Sequence, residues 1–228
     1  MHLIIPVAGK GTRNRPHSYP KPKSLQNVAG KTVIQHLIDH MRTLPLEEVI
    51  IIHDRFNGDA FKTTLPQWYP DVTFHFVQQE QQLGSAHSIL QALPFIEETK
   101  TDLFILFCDT IFQKDLHCVY EHREKSDGII FVQEVEGYQR FGVVVHKDRV
   151  MTAIVEKPQE PISRLANIGA YYFSKARHFF DEAENVINKN ITFGEPGILN
   201  LPLVWKTDPG ARGVNPCGEQ ALHDREAC

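Results

Sequence analysis

Through the first 132 residues, short apolar runs rich in Val, Ile and Phe alternate with stretches of helical periodicity, a pattern that few folds accept. The runs cover residues 3–8, 49–52, 72–77, 103–107 and 128–132. Between them, residues 32–41 place Val33, Leu37, Ile38 and Met41 on one face, residues 85–93 do the same with Ile89, Leu90 and Leu93, and residues 113–125 form a more polar helical pattern. Strand, helix and strand in repetition require right-handed crossovers, and so a mainly parallel sheet with helices on both faces. Ligands of such sheets bind at the carboxyl ends of the strands.

After Asp127 the pattern changes. Strand candidates at 141–146, 151–155 and 169–173 follow one another closely, with turns at Lys147-Asp148 and Lys157-Pro158. This region is expected to be mixed or antiparallel. A helix is predicted over 176–187, and beyond Asn190 the chain turns rich in Pro, Gly and Asn. The expected organisation is therefore an α/β, Rossmann-like domain over 1–192 and an irregular C-terminal tail over 193–228.

Composition narrows the function classes. A chain of 228 residues, 42% hydrophobic and 23% charged, is neither disordered nor fibrous. Its net charge of −4 provides no global basic field, so no nucleic-acid partner is expected. No apolar run approaches the ~20 residues of a membrane span. The opening Met1 to Val7 reads as a first strand rather than a signal peptide. The four cysteines, Cys108, Cys118, Cys217 and Cys228, have no CxxC spacing and are expected to be reduced thiols. Together these features predict a cytoplasmic location.

The first strand runs into Gly9-Lys10-Gly11-Thr12-Arg13, where backbone N–H groups can face an anion. A dinucleotide fingerprint would need glycine where Asn14 stands, and a Walker A loop would need glycine in place of Leu25. What remains is a glycine loop with Arg13, followed by Pro20-Lys21-Pro22. Two cations in one rigid loop can neutralise a triphosphate and the charge that grows on a leaving pyrophosphate. A tight surface turn with solvated charges is the plainer account of a bare glycine loop.

Gly9-Lys10-Gly11-Thr12-Arg13, Pro20-Lys21-Pro22 and Val28-Ala29-Gly30-Lys31-Thr32, in this order and spacing, resemble the sugar-phosphate nucleotidylyltransferases, such as the glucose-1-phosphate thymidylyl- and uridylyltransferases. The resemblance extends over about residues 2–187. It implies a Rossmann-like fold of the nucleotide-diphospho-sugar transferase type. It also implies nucleotidylyl transfer from dTTP or UTP to a hexose 1-phosphate, with release of pyrophosphate. In the family the glycine loop wraps the NTP phosphates, which assigns Gly9, Gly11 and Thr12 to nucleotide binding and Arg13 and Lys21 to catalysis. Gln79-Glu80-Gln81-Gln82-Leu83-Gly84 is similar to the segment that contacts the base, making Gln79 and Gly84 candidates, with Ser85 expected as the N-cap of the next helix. The apolar strand at 103–107 ends in Cys108-Asp109, where the family holds Mg²⁺ on an aspartate, so Asp109 is the candidate metal ligand. Phe141-Gly142-Val143-Val144, Glu156-Lys157-Pro158 and Asn167-Ile168-Gly169-Ala170-Tyr171 then arrive in the family's order. They make Gly142, Glu156, Lys157 and Asn167 candidate contacts of the sugar phosphate. The family's second metal-binding aspartate has no clear counterpart here, Asp208 being a poor one by context. Base, sugar and oligomeric state are not legible, and a homo-oligomer stays open.

From Gly194 onward a second resemblance appears. Asn215-Pro216-Cys217-Gly218-Glu219 looks like the active-site segment of ribonucleotide reductases, in which the cysteine carries the radical between a polar amide and a carboxylate. Only about 35 residues match, with no barrel to shield a radical, so reductase activity is not expected of this chain. Two other readings accompany the transferase: a nucleotide-binding module of the same fold without turnover, and a passenger domain joined to a reductase fragment. The histidines show no HExxH or His/Cys metal spacing, and there is no G-x-S-x-G elbow.

Overall fold

The computed structural model describes residues 1–9, 22–81, 83–96, 101–108, 111, 116–122 and 128–188. Strand β1 (His2–Pro6) leads, followed by a small hairpin of β2 (Asn27–Val28) and β3 (Lys31–Thr32) and by helix α1 (Val33–Met41). Next come β4 (Glu48–His53), α2 (Gly58–Trp68), β5 (Thr73–Gln78), α3 (Ser85–Leu90), β6 (Leu103–Leu106) and α4 (Cys118–His122). The chain continues through β7 (Gly128–Glu134), β8 (Gly142–Lys147), β9 (Val150–Glu156) and β10 (Leu165–Phe173) to α5 (Ala176–Asn188).

Strands β5, β4, β1 and β6 are parallel neighbours in that order. Because β1 is central, Leu3, Ile4 and Ile5 are all fully buried, the signature of a strand covered on both faces. The pleat then divides the core. Leu3, Ile5, Val49 and Ile51 pack with Ile34, Leu37 and Ile38 of α1 and Phe61 and Leu65 of α2. Ile4, Ile50, Ile52 and Ile105 pack on the other side with Ile89 of α3 and Phe179 and Phe180 of α5. The expected α/β sheet, mainly parallel and covered on both faces, is the one observed.

The second half is antiparallel, as its close strand spacing predicts. Strand β10 runs against β6, with Ala170 opposite Leu106 and Phe173 opposite Leu103. Its far side pairs with β7, and its first residues reach β8 through Ala166 and Val143. A bulge between Asn167 and Tyr171 lets one nine-residue strand serve three partners. Gly169 makes the bend at φ +75°, and a Cβ there would stand 3.1 Å from that of Phe107, so only glycine fits without a shift.

Several boundaries differ from the sequence reading. The last strand begins at Leu165 rather than 169, because the bulge bends it without ending it. Helix α3 stops at Leu90 and gives way to a 3-10 turn over Leu93–Phe95, with Pro94 inside it. Gly84, not Ser85, is the N-cap of that helix. Of the expected helix at 113–125, the described part is α4. Cys108 takes part in no disulfide, whereas Cys118 is disulfide-bonded, against the expectation that all four are reduced. No helix among the described residues is long and apolar enough to cross a membrane.

Candidate functional site

The parallel strands deliver their carboxyl ends to one edge of the sheet, where β1 lies between β4 and β6. Since β4 follows β1 on one side and β6 lies on the other, this is the point of reversal at which open α/β sheets bind ligands. From the end of β1, Val7 donates its N–H to the Ile52 carbonyl at 2.8 Å, and Val7 and Ala8 are buried. Gly9 is exposed, and a Cβ built on it meets no atom of the described residues within 4 Å. Packing among the described residues therefore does not demand glycine there; the close approach of a ligand would. Gly11, Thr12, Arg13 and Lys21 lie outside the described residues. The chain is anchored again by Ser24 and Leu25, buried in a 3-10 turn beside α1.

Two strands along, Gln79 donates its N–H to the His53 carbonyl at 2.9 Å and its side chain is buried. Gly84 then adopts φ +100°, a conformation that side chains avoid, and its carbonyl accepts the Ser88 N–H at 3.1 Å to open α3. Backbone geometry thus places both base-contact candidates at the carboxyl end of β5.

Asp109 also lies outside the described residues, but what leads to it is clear. The Phe107 N–H donates to the Gly169 carbonyl at 2.9 Å, tying the end of β6 to the bulge of β10. Among the described residues no group of three His, Cys, Asp or Glu could enclose a metal ion. One strand-end carboxylate suits Mg²⁺, which keeps waters and is completed by substrate phosphates rather than by an all-protein cage.

The remaining candidates come together. Gly142 pairs with Glu156 across β8 and β9, and the pairing of Ala166 with Val143 sets Asn167 beside Gly142. Asn167, Gly142 and Glu156 therefore form a row across three strands. Lys157 follows with φ +44°, its N–H bonded to the Phe141 carbonyl at 3.0 Å. Its Nζ lies 3.5 Å from Glu156 Oε1, and both side chains are at least half exposed. Such a pair contributes little to stability, so the lysine charge stays available to an anion. Asn167 is engaged at both ends: Oδ1 accepts the Gly169 N–H at 3.0 Å and Nδ2 donates to the Tyr171 hydroxyl. The sequence places Tyr171 in a strand and at the end of the Asn167-to-Tyr171 motif but assigns it no role; its spacing of four from Asn167 is the signal that could have singled it out.

Away from this edge, Asp39 joins Lys31 of the hairpin at 2.6 Å and the Tyr69 hydroxyl after α2 at 2.8 Å. Burial alone would raise the Asp39 carboxyl, but the hydrogen bonds from Lys31 and Tyr69 hold it below its ordinary value. The Tyr69 hydroxyl is pushed up by burial and by the same carboxylate.

A family model described as nucleotidyl transferase matches residues 3–192. The UTP–glucose-1-phosphate uridylyltransferase AglF of Haloferax volcanii is 31% identical over 181 residues, 77% of this chain and 73% of that protein. The bifunctional protein GlmU of Methanocaldococcus jannaschii is 32% identical over 178 residues, 77% of this chain but only 40% of its own length. A solved Bacillus anthracis chain, described as a glucose-1-phosphate thymidylyltransferase in complex with a sucrose, superposes with a TM-score of 0.75 at 25% identity. That match covers 88% of this chain and 80% of the other.

Proposed function

The chain belongs to the nucleotidyl transferase family, and from that premise we propose that it joins the nucleotidyl group of UTP or dTTP to a hexose 1-phosphate, with Mg²⁺ as cofactor. The observation that carries the reading is the row of Asn167, Gly142 and Glu156, with Lys157 beside it, on β10, which pairs with β6, and on β8 and β9 beyond it. Hydroxyl-binding groups and a cation stand together there, across β6 from the point of reversal at which β1 leads to Gly9.

The phosphate oxygen of the sugar attacks the α-phosphorus of the nucleotide. A bond forms between that oxygen and phosphorus as the bond to the β-phosphate breaks, and pyrophosphate leaves with its electron pair. The attacking phosphate is already an anion, so no general base has to be supplied. Catalysis then reduces to holding two polyanions in line and offsetting the charge that moves to the leaving group. Gly9, Gly11 and Thr12 cradle the triphosphate, Gln79 and Gly84 hold the base, and Arg13 and Lys21 stabilise the departing pyrophosphate. Lys157 holds the sugar phosphate while Glu156 and Asn167 bind its hydroxyls. Asp109 would help to hold Mg²⁺, which would supply positive charge to offset that of the phosphates.

Pyrophosphate release, measured with glucose 1-phosphate and either UTP or dTTP, tests the reading. Turnover by the native chain that collapses in Asp109→Asn is the expected result. Arg13→Ala should lower kcat by about 100-fold or more while changing nucleotide affinity far less, because the arginine acts on charge that develops in the transition state. An unchanged turnover number would remove Arg13 from the mechanism.

A further inference from the structure

Asn167 has a donor end and an acceptor end, and which of them faces a ligand decides what it recognises. The protein settles this without ambiguity. A backbone N–H can only donate, so the Asn167 atom bonded to the Gly169 N–H at 3.0 Å is the carbonyl oxygen. The other end is therefore the NH₂ group, and one of its hydrogens is donated to the Tyr171 hydroxyl oxygen. The amide is clamped within a single strand, across the bulge, by the residues two and four positions further on.

Tyr171 is itself firmly placed. It is 3% exposed, and its ring stands edge-on to Phe107 with centroids 6.2 Å apart. Phe107 also lies against Gly169 and holds the Gly169 carbonyl through its own N–H. The residue that leads into Cys108-Asp109 thus braces both groups that hold Asn167.

We propose that Tyr171 is a positioning residue: its hydroxyl and the Gly169 N–H lock the Asn167 amide so that the second Nδ2 hydrogen is the group offered to the ligand. Among the described residues that hydrogen has no protein partner. The position consequently recognises an oxygen lone pair, that of a hydroxyl group on the sugar, and selects against a sugar that lacks the hydroxyl. This inference rests on the proposed transferase reading.

Steady-state kinetics with UTP and glucose 1-phosphate, alongside thermal unfolding, provide the test. Tyr171→Phe retains the ring and its packing but loses the hydroxyl. The KM for glucose 1-phosphate should rise about 5- to 10-fold, the worth of one misdirected hydrogen bond, while kcat and the KM for UTP stay within about twofold. Asn167→Asp guards against a folding defect in the first variant. Its two oxygens can accept from Gly169 and from a rotated Tyr171 hydroxyl, preserving the local bonds but deleting the outward donor. It should keep an unfolding midpoint near that of the native chain and lose glucose 1-phosphate affinity at least as strongly.

An unchanged KM for glucose 1-phosphate in either folded variant overturns the inference, as does an equal rise in both KM values, which a general structural defect would give. Native protein that consumes neither substrate overturns the transferase reading and this inference together. Native activity with an indifferent Tyr171→Phe overturns this inference alone.

Discussion

Lys157 holds a backbone conformation that its side chain disfavours, φ +44°, at the end of β9. Strain of this kind costs of order 1 kcal/mol or more and persists where the surroundings impose it. Here the bond from its N–H to the Phe141 carbonyl does so, against the extended backbone that Pro158 favours in the residue before it. Replacing it with glycine relieves the strain but adds freedom to the unfolded chain, so the two effects nearly cancel. Lys157→Gly is therefore expected to change stability by less than about 1 kcal/mol in denaturant unfolding, yet to raise the KM for glucose 1-phosphate at least tenfold. An unaltered KM would make Lys157 a solvated turn residue. The candidate residues themselves were legible because their chemistry is written in short motifs. The arrangement around Asn167 was not: it depends on the φ of Gly169 and on Phe107 from another strand, neither of which leaves a local pattern.

At the scale of elements, the apolar stripe of helix α1 could be read directly, and the structure adds a Thr32–Gln35 capping box that fixes its start. Helix α2 could not. Gly58, two threonines and Pro66 all weaken its helical propensity, and it forms because Phe61 and Leu65 bury against the sheet. A polar clamp joins these pieces, with Asp39 of α1 bonded to Lys31 of the hairpin and to Tyr69 at the end of α2. Because folding depresses the Asp39 carboxyl, its contribution is present above the unfolded value of 3.8 and is lost as pH falls through the lower folded value. Thermal unfolding followed from pH 6 downward should show the midpoint falling in this acid range. Asp39→Asn should lower the midpoint at pH 6 and flatten part of the slope. Equal acid slopes in the two proteins would remove the clamp from the account.

For the whole molecule, the parallel half places Gly9, Gln79 and Gly84 at the carboxyl edge of the sheet, and the antiparallel half brings the Asn167, Gly142 and Glu156 row past the carboxyl end of β6, on the side away from β1. The change of strand spacing after Asp127 announced this division. The three-way pairing of β10 did not show in the sequence, since strand partners set by a bulge are long-range facts. The family match covers residues 3–192, and the expected tail over 193–228 is tested by removing it. A chain truncated after residue 192 is expected to retain its unfolding midpoint and its pyrophosphate release within about twofold. Loss of either would make the tail part of the working domain. The transfer itself is followed most directly by phosphorus NMR of the purified chain with UTP, glucose 1-phosphate and Mg²⁺. Pyrophosphate and the paired diphosphate signals of a nucleotide sugar should grow in equal amounts as both substrates disappear. UTP cleaved to UDP and phosphate, or a mixture left intact with glucose 1-phosphate untouched, would contradict the assignment.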